Sequence, residues 1–465
     1  MFRKKEREEA ATFWIATGDL PPTPSNTFYE RLDRALHDFK FGDEIRALAA
    51  PHYDMNERKG GYPGIDPEVY FKMLMVGFFE NISSERGIAA RCADSFSIRA
   101  FLHYELTERT PHHSSMTIIR QRLPLEVYDA VFGLVLKALK GKRLIKGQHL
   151  AIDTSVIEAN ASMASLKNRF TKEEYGEYVK RLAGEAGVDT EDPRAVKRFD
   201  KKRAGRTTSN KEWENPHDPD AKVGPDKKKV IRMIYKPEHA VDLETGAIVD
   251  VQLNLGDADD AKNLSERVLD LEERMNESLG DEIDVARIKT LVADAGYHDL
   301  DEMGELQEQG IRTAIPDPQQ NRIEENLCED QLHVLRMSRR TLASASARAL
   351  MRRRGELCER SFEHTLDCGA ARRTTLRGRE NILKRYLIQA ATMNMALLLR
   401  ALGGIGTLKQ TWAASKEITA SVFAFLARLC HALLPHNSLG GVFGAPTLHV
   451  CTKRTKTAAP ILTIS

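Results

Sequence analysis

Two short apolar runs in this chain each end in a carboxylate, and they constrain its fold more than any other feature. The string His149-Leu-Ala-Ile-Asp153 and the run Lys-Thr-Leu-Val-Ala-Asp at residues 289–294 both read as buried strands that deliver an Asp at the carboxyl end. A carboxylate left unpaired there loses its hydration at a cost of several kcal/mol or shifts its pKa. If the two strands are neighbours, their ends bring Asp153 and Asp294 together, and a hard divalent cation with oxygen ligands is the natural partner. A pair of such ions, roughly 3.5–4 Å apart, stabilises the attacking and leaving oxygens of phosphodiester chemistry together. The plainer alternative is that Asp153 caps the residues after it and Asp294 begins an ordinary turn.

The rest of the chain supplies a frame for two such strands. With 465 residues it is too long for one small core, and 42% hydrophobic against 29% charged residues argues against wholesale disorder. The pattern from residue 27 to about 139 is helical, with Phe28, Leu32 and Leu36, then Val69, Phe71, Met73, Leu74 and Phe78 at largely three- and four-residue spacings. Within it Ser84 caps a helix from Glu85 to Cys92, and Ser97 opens the next towards Tyr104, an arrangement that suits a helix-turn-helix or plain packing. Residues 171–229 are polar and interrupted by Pro193, Pro216, Pro219 and Pro225, as in an insertion that is helical first and loop-like later. Residues 233–243 and 247–253 form a hairpin through Glu244-Thr245-Gly246. Helical spacing follows at 259–279, then the strand ending in Asp294, a helix at 299–309 stopped by Gly310, and a short strand at 311–315. One long helix is expected from Thr341 to about Asp367, and another from Glu380 to Leu402. That order demands an α/β fold: a mixed sheet flanked by helices, preceded by an all-helical amino-terminal domain.

No membrane partner is expected, since the best apolar stretches are broken by Arg400 and Arg428 well short of about 20 residues. The opening MFRKKEREEA lacks the apolar core of a secretory signal, so a cytoplasmic location is expected. Six cysteines lie far apart with no C-x-x-C pair, which points to reduced thiols rather than zinc or disulfides. Net charge is only +2, but it is unevenly spread. Arg352, Arg353, Arg354, Arg360, Arg372, Arg373, Arg377, Arg379, Lys384 and Arg385 crowd one region, and residues 257–284 are acidic. Such a basic cluster reads either as a solvated helix face or as a track for phosphates.

Several separated strings, in order, resemble those of bacterial insertion-sequence DDE transposases with an RNase H-like catalytic domain. They are Ile152-Asp-Thr-Ser-Val-Ile-Glu-Ala-Asn160, Asn215-Pro-His-Asp-Pro-Asp-Ala-Lys222, Glu238-His-Ala-Val-Asp-Leu-Glu-Thr-Gly246 and Ala293-Asp-Ala-Gly-Tyr-His298. Gly355-Glu-Leu-Cys-Glu-Arg-Ser-Phe-Glu-His364, Leu376-Arg-Gly-Arg-Glu-Asn-Ile-Leu-Lys-Arg-Tyr386, Pro111-His-His-Ser-Ser115 and Arg120-Gln-Arg-Leu123 extend the likeness, with gaps, from about residue 71 to 406.

The resemblance implies Asp153 on the first sheet strand, Asp294 in a D-x-G-Y motif on the fourth, and a Glu on a later helix as metal ligands and catalytic residues. Glu356, Glu359 and Glu363 share one helix face, so periodicity does not choose among them; the E-x-x-F match with Phe362 chooses Glu359. It also implies two Mg2+ or Mn2+ ions, double-stranded DNA as partner through terminal inverted repeats and target, and a homo-oligomer on DNA. Residues 1–146 are then a helical DNA-binding domain, 147–402 the catalytic domain with an insertion at about 155–230, and 403–465 a tail. Repeat contacts are expected from Arg120 and Arg122, and a phosphate track from Arg372, Arg373, Arg377, Arg379, Lys384 and Arg385. His239 and His298 are expected in structural or phosphate-contacting roles. Relatives often carry a Lys seven residues after the Glu and a Tyr and Arg before it; here position 366 is Leu, no Tyr precedes nearby and Arg354 stands one position off. Two other functions fit those departures: an inactive, transposase-derived DNA-binding protein, or an RNase H-like nuclease without strand transfer.

Overall fold

A computed structural model describes residues 23–53, 64–204, 209–226, 228–279, 287–319, 327–411 and 413. The charged residues at the amino terminus and nearly all of the expected tail lie outside that set. The amino-terminal helices are α1 (Pro24–Asp38), α2 (Phe41–Ala49), α3 (Pro67–Phe79), α4 (Glu85–Asp94), α5 (Phe96–Phe101), α6 (His113–Arg122) and α7 (Leu125–Gly141). The stripe Phe28, Leu32 and Leu36 buries one face of α1 as its spacing predicts. Helix α3 is buried almost all round, and it tolerates Lys72 inside because the ammonium pairs with Asp33 at 2.7 Å and Glu68 at 2.8 Å.

Strand β1 (His149–Thr154) is the centre of a mixed sheet that continues with β2 (Ile157–Glu158). The polar segment after it holds β3 (Lys167–Asn168), α8 (Tyr175–Glu185), α9 (Pro193–Lys202), β4 (Trp213–Glu214) and β5 (Lys222–Pro225). Its later part is therefore not all loop: β5 pairs antiparallel with β6 (Ile231–Asp242), which is long enough to hold β5 and β2 along its first half and β1 along its second. The hairpin partner β7 (Ile248–Leu255) follows through Gly246, whose φ of +81° a side chain would resist. Then come α10 (Leu264–Leu279), β8 (Thr290–Val292), α11 (Leu300–Glu308), β9 (Arg312–Ala314), α12 (Glu329–Ala343), α13 (Ala345–Phe362) and α14 (Arg379–Gly403).

Strand β6 is antiparallel to both β7 and β1, while β1, β8 and β9 are parallel. The order β7-β6-β1-β8-β9, a hairpin joined to a parallel half at the first strand, is the RNase H-like arrangement. Leu150 and Ile152 enter the main core, and Ala151 enters a smaller cluster under Ala347, Leu357 and Cys358 of α13. Side chains alternate along a strand, so Asp153 lies on the α13 face.

Two expectations need correction. The helix expected from Thr341 to Asp367 is broken at Ser344, which closes α12 and caps α13 by accepting a hydrogen bond from the Ala347 amide at 3.1 Å. The chain beyond Phe362 continues as a π-helical stretch, Glu363–Cys368. The helix expected to open at Ser97 starts at Phe96, with Ser95 as its cap. Among the described residues one stretch, Arg379–Thr411, is long and apolar enough by composition to cross a membrane, and most of its apolar window is buried inside the protein. Its helix, α14, packs on α7, α3 and β7, so the helical segment and the sheet share one apolar core.

Candidate active site

Asp153 is the penultimate residue of β1 and faces His239 of β6 in the antiparallel ladder. Asp294 lies one residue past the end of β8, after Ala293, and caps a single turn, Ala295–Tyr297, accepting from the Gly296 amide at 2.9 Å. Parallel pairing of β1 with β8 brings the two carboxylates to one spot, where a single nitrogen, Nη2 of Arg354, lies 3.1 Å from Asp153 and 3.4 Å from Asp294. Burial raises the pKa of Asp153; the Arg354 guanidinium opposes that shift and the negative charge of Asp294 adds to it. The compensating charge anticipated at the strand ends is thus supplied by α13.

Glu359 and Glu356 are exposed on α13, as is Glu363 just beyond its end, and Glu356 pairs with Arg360 at 3.6 Å. Next to Glu359, the Cys358 thiol is buried in the field of Asp153, Arg354, Asp294 and Glu359, and burial pushes its pKa up. Glu359 shares a flank of α13 with Gly355 and Phe362, a turn before and after it. Among the described residues no group of three or more His, Cys, Asp or Glu stands close enough to hold one ion. The two aspartates by themselves fit a hard divalent cation of the Mg2+ type, which takes one or two carboxylates and fills its shell with water and phosphate oxygens.

His239 is fully buried. Its Nδ1 is 2.9 Å from the Ser361 hydroxyl and its Nε2 2.7 Å from the Tyr386 hydroxyl, and its ring stacks on Phe362. Burial drops its pKa to about 3, so it is a neutral clamp between sheet, α13 and α14, one residue across from Asp153. His298 is half-buried, directly after Tyr297.

Behind the site, on the sheet face opposite Asp153, Glu238 is buried across from Thr154. Burial raises its pKa, opposed first by Arg267 and then by the Tyr297 hydroxyl. Asp260 accepts from the Thr154 hydroxyl at 3.3 Å and pairs with Lys236 at 3.2 Å. Sequence reasoning passed over this cluster. The signal available was the charged Glu238 beside His239, just before the apolar pair Ala240 and Val241 of β6.

The basic residues divide. Arg120 is buried and paired with Glu85, and Lys384 is buried against the Arg120 carbonyl and Glu380; neither faces solvent. Arg385 donates to the Ile82 carbonyl at 3.2 Å, and Arg379 Nε to the Leu253 carbonyl at 2.6 Å. Arg122 is exposed, over the Tyr53 ring. Arg372 reaches Ser155 at 3.3 Å, and Arg373 pairs loosely with Glu158 at 3.7 Å, while Arg377 Nε donates to the Asn160 carbonyl at 3.2 Å. These three follow the chain outwards from Asp153. With His217 and Arg232, Arg373 and Arg377 line an open groove of about 570 Å³.

Residues 21–122 match the family described as Transposase domain (DUF772), and residues 201–395 the Transposase DDE domain. Together the two matches span more than half of the chain, and the second contains Asp294 and Glu359 while Asp153 falls between them. The chain belongs to the DDE transposases. Transposases of this type are metal-dependent polynucleotidyl transferases and endonucleases whose partner is DNA. No curated protein matches this transposase. Among solved structures, a Mos1 transposase paired-end complex with left transposon end aligns over 75% of this chain and 99% of that one, at 9% identity and a TM-score of 0.19. A likeness that weak decides nothing about this transposase.

Proposed function

We propose that this transposase cuts the ends of an insertion sequence and joins them to target DNA, with Asp153, Asp294 and Glu359 holding two Mg2+ ions or Mn2+ in their place. The observation that carries this reading is the shared reach of Arg354 Nη2 to both aspartates, which lie far apart in the sequence. Bound divalent ions would supply Lewis acidity, easing deprotonation of an attacking water or 3′-hydroxyl and stabilising the leaving oxygen. The chain's own part is positional. Asp153 is held by the β1–β6 ladder and Asp294 by its turn, while Glu359, exposed on α13, is assigned as the third ligand by its E-x-x-F match with Phe362. The neutral His239, with both nitrogens engaged, carries no proton in the reaction.

Arg372, Arg373 and Arg377 form the phosphate track leading away from the carboxylates, and Arg232 and His217 line the same groove as Arg373 and Arg377. Residues 1–146 recognise the terminal repeats through the surface of α4 and α5 and through Arg122, residues 147–402 are the catalytic domain, and the protein works as a homo-oligomer on DNA. Asp153→Ala should abolish cleavage of DNA bearing the flanking inverted repeats and leave repeat binding intact. Retained cleavage removes the assignment.

One observation favours a second reading. Leu366, where relatives have a Lys near the substrate backbone, is fully buried in the core, which fits a transposase-derived protein that binds DNA without cutting it. Incubating purified protein with Mg2+ or Mn2+ and repeat DNA separates the readings. Joined product supports the transposase, cut product alone a plain nuclease, and a shifted band without cleavage the binding protein.

A further inference from the structure

The ladder between β1 and β8 ends at the pair Ala151 and Val292, two residues short of both Asp153 and Asp294. Asp153 remains tied to β6 through its pairing with His239. Asp294 has already left the sheet, and its turn must be anchored some other way if the two carboxylates are to keep one separation. The anchor visible is Tyr297, the last residue of that turn, whose ring is fully buried and whose hydroxyl donates to Oε2 of Glu238 at 2.9 Å. Glu238 sits on β6 one residue from His239 and is only 4% exposed. Nη1 of Arg267 donates to both of its oxygens, at 2.8 and 2.7 Å, and Nη2 of the same guanidinium donates to the Asp260 carbonyl at 2.6 Å. Both aspartates are therefore referred to one strand: Asp153 through the backbone ladder, Asp294 through a side-chain relay.

We infer that Tyr297 and Glu238 are positioning residues that set the separation of Asp153 and Asp294, and so the affinity of this transposase for divalent metal. The inference rests on the reading of those two aspartates as the metal carboxylates. Hydrogen-bonding partners behind metal ligands are commonly worth about 10–100-fold in metal affinity. Arg267, bonded to Glu238 from α10, keeps that carboxylate in place when the tyrosine hydroxyl is removed, so Tyr297→Phe should loosen the turn without emptying the core.

The test is a Mn2+ titration of the full-length protein by calorimetry, beside a thermal melt of each variant. Tyr297→Phe should weaken Mn2+ binding about ten-fold or more while unfolding stays cooperative, and Glu238→Gln should weaken it several-fold, since the amide oxygen still accepts from Tyr297. A folded Tyr297→Phe protein with unchanged Mn2+ affinity overturns the inference; a purely structural role would lower the melting temperature alone. Should Tyr297→Phe not fold, unchanged affinity in Glu238→Gln overturns it equally. Asp153→Asn is measured in parallel. If Mn2+ binding survives that change, the carboxylate reading itself has failed, whereas loss in Asp153→Asn with none in Tyr297→Phe sinks only the positioning role.

Discussion

The Nη2 nitrogen of Arg354 lies 3.1 Å from an Asp153 carboxylate oxygen and joins it to Asp294 at 3.4 Å, so one guanidinium neutralises part of the repulsion between two acids. All three side chains come from different elements, β1, the turn after β8, and α13.

On the proposed assignment of Asp153 and Asp294, a divalent ion would compete with that guanidinium for the same oxygens. Arg354→Gln should lower the stability of the metal-free protein by about 1–3 kcal/mol, the cost of leaving a partly buried carboxylate without its partner. It should also enlarge the rise in melting temperature produced by Mg2+, because tighter binding to the folded state stabilises it further. Melting curves with and without Mg2+ measure both effects, and an Mg2+ shift equal to that of the parent protein would mean the two cations do not share a site.

Glutamate identity on α13 is open to direct comparison. Glu359→Gln should reduce repeat cleavage to background, while Glu356→Gln and Glu363→Gln should retain it, since only Glu359 has the E-x-x-F match with Phe362. Single-turnover cleavage of the three variants decides it; loss in Glu363→Gln with retention in Glu359→Gln would reassign the third ligand.

His239 should make stability depend on pH. Its folded pKa of about 3 lies below the 6.5 of an unburied histidine, so between those values the unfolded chain binds the extra proton. Stability therefore rises with pH through that window and is lost as pH falls below about 6.5. A His239→Asn protein should be less stable at pH 7, by about 1–3 kcal/mol for the two buried hydrogen bonds it disturbs, and show a flatter decline between pH 6.5 and 5. Melting temperatures at half-unit steps test the slope.

The basic residues predict two different phenotypes. Arg373→Ala with Arg377→Ala should flatten the salt dependence of DNA binding by about two logarithmic units of slope, roughly one for each phosphate no longer neutralised. Arg120→Ala should leave that slope alone and cost about 1–3 kcal/mol of stability, because it strands Glu85 in a nearly closed site. Binding isotherms at several salt concentrations, paired with melts, separate the groups.

Much of this molecule could be read locally. The strands that end in Asp153 and Asp294 announce themselves as apolar runs, and the hairpin through Gly246 by its turn chemistry. The break at Ser344 was hidden, because the apolar spacing of α12 runs on into α13 and a serine marks a cap only once the chain is known to turn there. Strand β5 was hidden too, its Val223 and Gly224 lying in a polar, proline-rich stretch that becomes extended only by pairing with β6.

What the sequence determined by itself was the succession of elements and the two acid-tipped strands, since hydrophobic period, caps and turns act over a few neighbouring residues. Only the tertiary structure decided that Arg120 and Lys384 are inside, that Arg354 reaches both aspartates, and that Glu238 lies under the turn of Asp294. Those outcomes depend on which faces of distant segments meet, and charge identity does not encode its own partner.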